Sequence, residues 1–205
     1  MKIYDISMKI HHNMPVYKGK IAKKPVLKVM SDFSSGTSFE TKLELNMHTG
    51  THIDRPRHFL PGGKTIDQLE LEEVVTKCRV LDFTNADGEI MKEHLAGKRI
   101  KEGDFILLKT KNSFLNILEG EFSYLDKTGA DYLKKIGVRG VGIDALGIER
   151  RQPDHETHKI LLGAGIVILE GLRLKEVAEG EYLLVAAPLN VVGAEAAPVR
   201  AVLIE

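Results

Sequence analysis

Residues 48–58 read His48-Thr-Gly-Thr-His52-Ile-Asp54-Arg-Pro-Arg-His58. Three of the chain's eight histidines and one aspartate fall in this run, all at even-numbered positions. Imidazole and carboxylate are the ligand types that bind divalent zinc, manganese or iron. A polar surface loop could account for a single histidine, but the density of ligand types in this run predicts a metal site.

The run reads as an extended segment that must bend. Gly50, Pro56 and three β-branched residues make a helix unfavourable here. Along a straight strand His48 and Asp54 would lie roughly 20 Å apart, which is too far for one ion. Gly50 permits the dihedral angles of a bend, and Pro56 fixes the backbone beyond it. We therefore predict a strand that runs into a tight, rigid loop.

A second set of candidate ligands follows Pro153. Residues 154–162 predict a helix with Asp154 as its N-terminal cap, and residues 166–169 predict a short buried strand. Glu170 closes this strand, and a buried carboxylate needs a metal ion, an arginine or solvent as its partner. His155 and His158 lie one turn apart on the predicted helix, so both compete for a ligand role.

The histidine run, extended by Phe59, resembles the signature His-x-Gly-Thr-His-x-Asp-x-Pro-x-His-Phe of the cyclase family, which includes bacterial kynurenine formamidases and isatin hydrolases. Further similar segments lie along nearly the whole chain, at residues 4–7, 14–17, 62–67, 141–144, 158–172 and 198–203. The resemblance implies a swivelling β/β/α domain that has a barrel-like mixed sheet core and surrounding helices.

The resemblance also implies which residues form the site. The metal ligands are expected to be His48, His52, Asp54, His158 and Glu170, with His158 favoured over His155 because it precedes a Leu-Leu pair. These are more ligands than one tetrahedral ion needs, so we expect two divalent ions per chain, zinc or alternatively manganese. The expected reaction is attack of a metal-activated water on a small amide, with N-formylkynurenine as the best single candidate substrate.

His58 is the candidate acid–base catalyst, because imidazole titrates near neutral pH and a proton must reach the leaving amine. A ligand role for His58 remains an alternative. Two other functions also remain open. The chain could open a cyclic amide or lactone such as isatin, or it could bind metal without turnover; the surplus of ligands argues against the last reading.

The segment Tyr17-Lys18-Gly19-Lys20 departs from the family's aromatic-Pro-Gly-Asp pattern. In the family this loop reaches the substrate pocket, often across a subunit boundary. We therefore expect Tyr17 to bind substrate and the protein to form a homodimer or higher homo-oligomer. Lys18 and Lys20 add positive charge, which favours a substrate that bears a carboxylate.

Composition excludes several other classes of function. Lys plus Arg and Asp plus Glu each number 29, so there is no net charge to attract nucleic acid, and tryptophan is absent. The 205 residues, 43% of them hydrophobic, suit a single domain over residues 1–205. Cys78 is interpreted as a core residue. No signal peptide or membrane-length apolar run is recognised, which predicts a soluble, cytoplasmic protein without a membrane partner.

The remaining pattern predicts a mixed α/β fold. Residues 34–37 have the composition of a hairpin turn between two strands. The predicted strands are 26–30, 39–47, 78–83, 104–109, 138–143, 166–169, 182–186 and 199–204. The predicted helices are 66–75, 89–95, 130–136 and 154–162.

Overall fold

A computed structural model of the chain describes residues 1–115 and 122–205. These residues form thirteen β-strands and three α-helices. The strands are β1 Ile3–Asp5, β2 Val26–Ser31, β3 Glu40–Glu44, β4 His52–Asp54, β5 Val75–Phe83, β6 Glu89–Ile90, β7 Phe105–Thr110, β8 Tyr124–Leu125, β9 Gly140–Ile143, β10 Val167–Glu170, β11 Gly180–Val185, β12 Ala196–Pro198 and β13 Val202–Ile204. The helices are α1 Lys92–Ala96, α2 Lys127–Ile136 and α3 Glu156–Gly163.

Nine of the described strands form one mixed sheet, in the order β1-β13-β11-β5-β7-β9-β10-β4-β12. The central strands β5, β7, β9 and β10 run parallel, and the outer strands pair antiparallel. The sheet is curled into a half-barrel. The predicted mixed α/β fold with a barrel-like sheet core is therefore confirmed.

The sheet has a separate apolar core on each face, because successive side chains of a strand alternate between faces. In β7, Phe105 and Leu107 belong to one core, whereas Ile106 and Leu108 belong to the other, helix-covered core, here called the outer core. Helix residues such as Leu133 and Leu161 belong to the outer core. All six residues of β7 are buried, as expected for a parallel strand covered on both sides.

The predicted hairpin is present as β2 and β3, which pair antiparallel from Val26 opposite Glu44, with a register shift between Val29 and Ser31. It forms a two-stranded sheet of its own, separate from the nine-stranded sheet. Its apolar side chains are unusually exposed, and Phe33 at its tip is 77% exposed. This hairpin lies in the sequence between Tyr17 and the histidine run.

The predicted helix over residues 66–75 is wrong. Two single 3-10 turns, Ile66–Gln68 and Leu71–Glu73, take its place, and β5 begins at Val75. Val75 belongs to a strand rather than a helix because it pairs with Val185 and extends the ladder between β5 and β11. The predicted helix over residues 89–95 is likewise shortened, since Glu89–Ile90 pairs with Tyr124–Leu125 and α1 begins at Lys92.

The prediction of Asp154 as the cap of α3 is also wrong. His155 occupies the cap position in a left-handed conformation, with φ of 53°, and makes no side-chain cap bond. The Glu149 carboxylate accepts a hydrogen bond from the backbone N–H of His158 at 3.3 Å instead. A carboxylate from outside the helix thus satisfies a donor in its first turn.

Candidate metal centre

A contact between two glycines sets the geometry around β4. Gly50 has φ of +68°, and a side chain on Gly171 would lie 2.3 Å from the Gly50 carbonyl oxygen. The Thr51 hydroxyl donates to the Gly171 carbonyl at 2.7 Å and holds the two segments together. This bend returns His48 to β4, where its Nδ1 lies 3.0 Å from Asp54 Oδ1. The predicted bend at Gly50 is therefore present.

The register between β4 and β10 places the next two groups. His52 lies opposite Glu170, and Asp54 lies opposite Ile168, which belongs to the outer core. Because directly paired residues share a face, His52, Asp54 and Glu170 all face the helix-covered side. His52 Nε2 lies 3.4 Å from Asp54 Oδ1 and 3.4 Å from Glu170 Oε2.

Helix α3 supplies His158 from above this face. His158 Nε2 lies 3.2 Å from Glu170 Oε1 and 3.6 Å from Asp54 Oδ2. The four groups His52, Asp54, His158 and Glu170 are all buried. One strand pair and one helix thus bring together side chains that are more than 100 positions apart in the sequence.

The outer nitrogens of two imidazoles lie close to oxygen acceptors, through a hydrogen bond at His52 and an ion-pair contact at His158. His52 Nδ1 lies 2.9 Å from the Gly50 carbonyl oxygen, which can only accept, so Nδ1 must carry the proton of this bond. His158 Nδ1 lies 2.9 Å from Glu149 Oε1, and His155 Nδ1 lies 2.6 Å from the same oxygen. Contacts of this kind fix imidazole orientation in metal sites and leave Nε2 for the ion.

Mutual stabilisation of opposite charges dominates the electrostatics. Burial alone would lower the pKa of His52, but the Asp54 and Glu170 carboxylates raise it to about 10. Burial opposes ionisation of Glu170 too, as does Asp54, yet His158 and His52 lower the pKa of Glu170 to about 2. Without metal, the cluster therefore keeps its carboxylates ionised beside protonated imidazoles. Metal binding to such a cluster displaces those protons.

The residues present fit a divalent cation. Both carboxylate oxygens of Asp54, and Nε2 of His52, are buried without a hydrogen-bond partner. Buried polar atoms are rarely left unpaired, because doing so is costly. Two groups of atoms that can hold a cation meet at Asp54, namely His48 with His58 and His52 with Glu170, with ligand atoms within 4.8 Å of one another. The site therefore supports a divalent metal.

His58 lies beside this cluster at the end of the 3-10 turn Pro56–His58. Its ring stacks on that of His48 at 4.1 Å between centroids. Burial is the main cause that lowers the pKa of His58 to about 4, so its ring is neutral near pH 7 in the absence of metal. A cavity of about 290 Å³ adjoins the cluster and is lined by residues that include Tyr17, His58 and His158.

The structure brings all seven predicted site residues to this region: His48, His52, Asp54, His58, His158 and Glu170 in the cluster and Tyr17 on the cavity wall. The His155 side chain is 46% exposed and contacts Glu149 rather than Asp54 or Glu170. Sequence reasoning missed Glu149, and also Glu195, whose Oε1 lies 3.2 Å from His48 Nε2. Neither residue belongs to a spaced motif that could have indicated its role.

Sequence comparison relates the chain to known proteins. Residues 4–150 match the family described as "Putative cyclase". Over 171 residues, 82% of this chain and 81% of the relative, the chain is 34% identical to a kynurenine formamidase of Bacillus cereus. The chain belongs to the cyclase family.

Solved structures of cyclase-family proteins have the same fold. A "predicted metal-dependent hydrolase" from Bacillus stearothermophilus is 46% identical, with a TM-score of 0.91 over 98% of this chain and 97% of the other. Isatin hydrolase A from Labrenzia aggregata, 24% identical, has a TM-score of 0.86 over 98% and 93% of the two chains, which shows the shared fold alone.

This cyclase-family chain is an enzyme, a metal-dependent hydrolase. Its predicted membership of the family is confirmed. Among the helices of residues 1–115 and 122–205, none has the length and apolar character needed to cross a membrane.

Proposed function

We propose that the protein is an arylformamidase that hydrolyses a small aryl formamide, with N-formylkynurenine as the first candidate, to the free amine and formate. The observation that carries the proposal is Asp54, a buried carboxylate without hydrogen-bond partners, set among three imidazoles beside a cavity. The similarity to kynurenine formamidases over most of the chain supports the choice of substrate class.

Two sets of side chains would hold the ions. We propose His48, His52 and Asp54 for one ion, and Asp54, His158 and Glu170 for the other, so that Asp54 serves both. Zinc is the first candidate for both sites and manganese the alternative, since these ligand types suit either metal. When bound, such an ion lowers the pKa of its water toward about 7 and supplies a nucleophile at neutral pH.

His58 would move the proton. Its ring makes no hydrogen bond or ion pair with the described residues, and burial keeps it neutral near pH 7. A neutral imidazole at the cavity wall can accept a proton from the attacking water and return it to the leaving nitrogen. Tyr17 lines the same cavity and would contact the aryl group, so it should affect KM more than kcat.

We further propose a homodimer or higher homo-oligomer. The β2–β3 hairpin exposes seven large apolar side chains, each 46% to 77% exposed: Val26, Leu27, Val29, Met30, Phe33, Phe39 and Leu43. Contiguous exposed apolar surface is typical of association sites. The single-domain organisation over residues 1–205 and the cytoplasmic location also remain predictions.

Activity with and without metal tests the proposed function. The protein is stripped with chelator, reloaded with zinc or manganese, and assayed with N-formylkynurenine, formanilides and isatin. We expect metal-dependent hydrolysis of the formamides. Turnover of isatin alone would instead favour opening of a cyclic amide. Residues 17–20, which depart from the family pattern, would then have changed the substrate that the pocket accepts. Metal uptake without any turnover would leave a metal-binding protein.

A further inference from the structure

A second part of the cavity leads away from the metal centre and has a different chemical character. It has a volume of about 770 Å³, and its lining includes Lys18, Phe122 and Arg150. Tyr17, Leu146, Arg150, Gln152 and His155 line both parts, so the two are continuous. A molecule that reaches the metal centre through this space passes these side chains.

Among the residues that the structure describes, three basic side chains on this wall have no acidic partner. Within residues 1–115 and 122–205, no carboxylate oxygen lies within 4.0 Å of the charged nitrogens of Lys18, Lys23 or Arg150. Elsewhere on the described surface, ion pairs such as Arg79 with Asp104 are present. We call Lys18, Lys23 and Arg150 the cationic wall. No described acid pairs with this charge, so we treat it as a candidate binding site for an anionic group.

The two described carboxylates that line the cavity do not neutralise the cationic wall. Glu149 and Glu170 both line the metal-centre part of the cavity. Glu149 Oε1 contacts His155 and His158, and Glu170 contacts His52 and His158. These acids are therefore engaged on the metal side of the cavity.

Aromatic rings hold the basic groups in place. The Arg150 guanidinium carbon lies 4.4 Å from the centroid of the Phe122 ring. The Nζ atoms of Lys18 and Lys23 lie 5.2 and 5.4 Å from the centroid of the Tyr17 ring. A stacked guanidinium keeps the N–H groups at its edge free to bind a carboxylate through two hydrogen bonds. The wall therefore offers oriented donors beside flat apolar surfaces.

We infer that Arg150, assisted by Lys18 and Lys23, binds an anionic group of the substrate and selects aryl amides that carry a carboxylate over neutral ones. The inference rests on the proposed amide hydrolysis and makes its substrate class more specific. It also revises the expectation drawn from the sequence. Lys18 lines the cavity as expected, but Lys23 does so in place of Lys20.

Matched pairs of substrates isolate the effect of charge. The 2-, 3- and 4-formamidobenzoates are each compared with the corresponding formamidobenzamide, which has nearly the same shape but no charge. We expect the metal-loaded enzyme to prefer at least one carboxylate by about 10-fold or more in kcat/KM, since a charge-assisted hydrogen bond contributes that much. Most of the preference should lie in KM.

Variants assign the preference to the cationic wall. Arg150→Gln should remove most of the carboxylate preference, and Arg150→Lys should retain part of it, because lysine keeps the charge but not the paired donors. Arg99→Gln is the matched control, since Arg99 is exposed and lines neither cavity. If Arg150→Gln does not fold, Lys18→Gln at an exposed position should lower the preference in the same direction.

Binding measurements separate this inference from the proposed reaction. If none of the formamides is hydrolysed, the proposed function fails, and calorimetry with the same compounds still tests the wall. Tighter binding of a carboxylate by the unmodified protein, weakened in Arg150→Gln, supports the inference. The inference is overturned if every carboxylate and its carboxamide are bound and hydrolysed equally well. It is also overturned if the preference for the carboxylate survives in Arg150→Gln.

Discussion

Two fully buried aspartates at strand ends of the same sheet have opposite surroundings. Asp144, which follows β9, accepts hydrogen bonds from backbone or side-chain groups of Thr110, Asn112 and Ser113. Asp54 ends β4, and neither of its carboxylate oxygens has a hydrogen-bond partner. Burial by itself therefore says little about the role of a carboxylate; the groups around it decide that role.

The pKa values of the two aspartates are also shifted in opposite directions. Burial raises the pKa of Asp144, and the donors of Ser113 and Thr110 only partly offset this. Burial also opposes ionisation of Asp54, but the adjacent imidazoles of His158, His48 and His52 hold its pKa well below the usual range. Asp144 thus fixes the turn that follows β7, whereas Asp54 is kept as an anion that a cation can bind.

Replacing each aspartate with neutral asparagine should give the largest difference between the two sites. Asp54→Asn should lose metal and reduce kcat/KM by more than the roughly 10⁴-fold upper range for loss of an acid–base group, because both proposed ions share Asp54. The Asp144→Asn variant should retain the metal content of the unmodified protein. Elemental analysis and steady-state kinetics on both purified variants measure the difference. Retention of full metal content by Asp54→Asn would end the contrast.

His58 lies beside Asp54 but makes no hydrogen bond or ion pair with it, so its replacement separates catalysis from metal binding. His58→Ala should retain most of the metal yet lower kcat by about 10²–10⁴-fold, as expected for loss of a general acid–base group. Metal content and kcat are measured on the same preparation. A parallel loss of metal and activity would assign His58 as a ligand instead.

Glu149 should affect the metal centre only through His158. Glu149→Gln removes the charge that lies 2.9 Å from His158 Nδ1 and should lower the affinity for one ion by about 10- to 100-fold, the usual effect of losing an outer partner of a ligand. His155→Ala is the matched control, because His155 contacts Glu149 from a partly exposed position, and affinity should stay nearly unchanged. Competition with a chromophoric chelator gives both affinities. Equal losses in the two variants would contradict the proposed role of Glu149.

The smallest expected effect is on stability. Asp144→Ala would leave the N–H groups of Thr110 and Ser113 without their acceptor, at a cost of about 1–3 kcal/mol in the free energy of unfolding. Asp54→Ala in the metal-free protein removes no hydrogen-bond acceptor, but it takes a counter-ion from the buried His52. Its cost should therefore fall as the pH rises from about 6.5 towards about 10, whereas the cost of Asp144→Ala should stay nearly constant. Urea denaturation of both metal-free variants compares the costs. The measurement is repeated across that pH range, and the same pH dependence in both variants would contradict our distinction between the structural and the ligand carboxylate.

In both places where a prediction of local structure was wrong, a longer-range interaction overrode a local preference. Residues 66–75 have a helical composition, yet the ladder with β11 takes Val75 into β5. Asp154 is a good capping residue, yet Glu149 reaches the first turn of α3. By contrast, the hairpin of β2 and β3 follows its turn composition, because its pairing is local.

The amino-acid sequence is enough to show the ligand types, their clustering between His48 and His58, and the glycine that lets the run bend. These features are local, since they depend on residue chemistry and short spacings. Three contacts become visible only in the folded chain: Glu170 pairs with His52 across two strands, Glu149 lies beside His158, and Arg150 lies over the Phe122 ring. Each of these contacts requires a strand register or a loop path set by packing of the whole sheet, and no short sequence pattern encodes either.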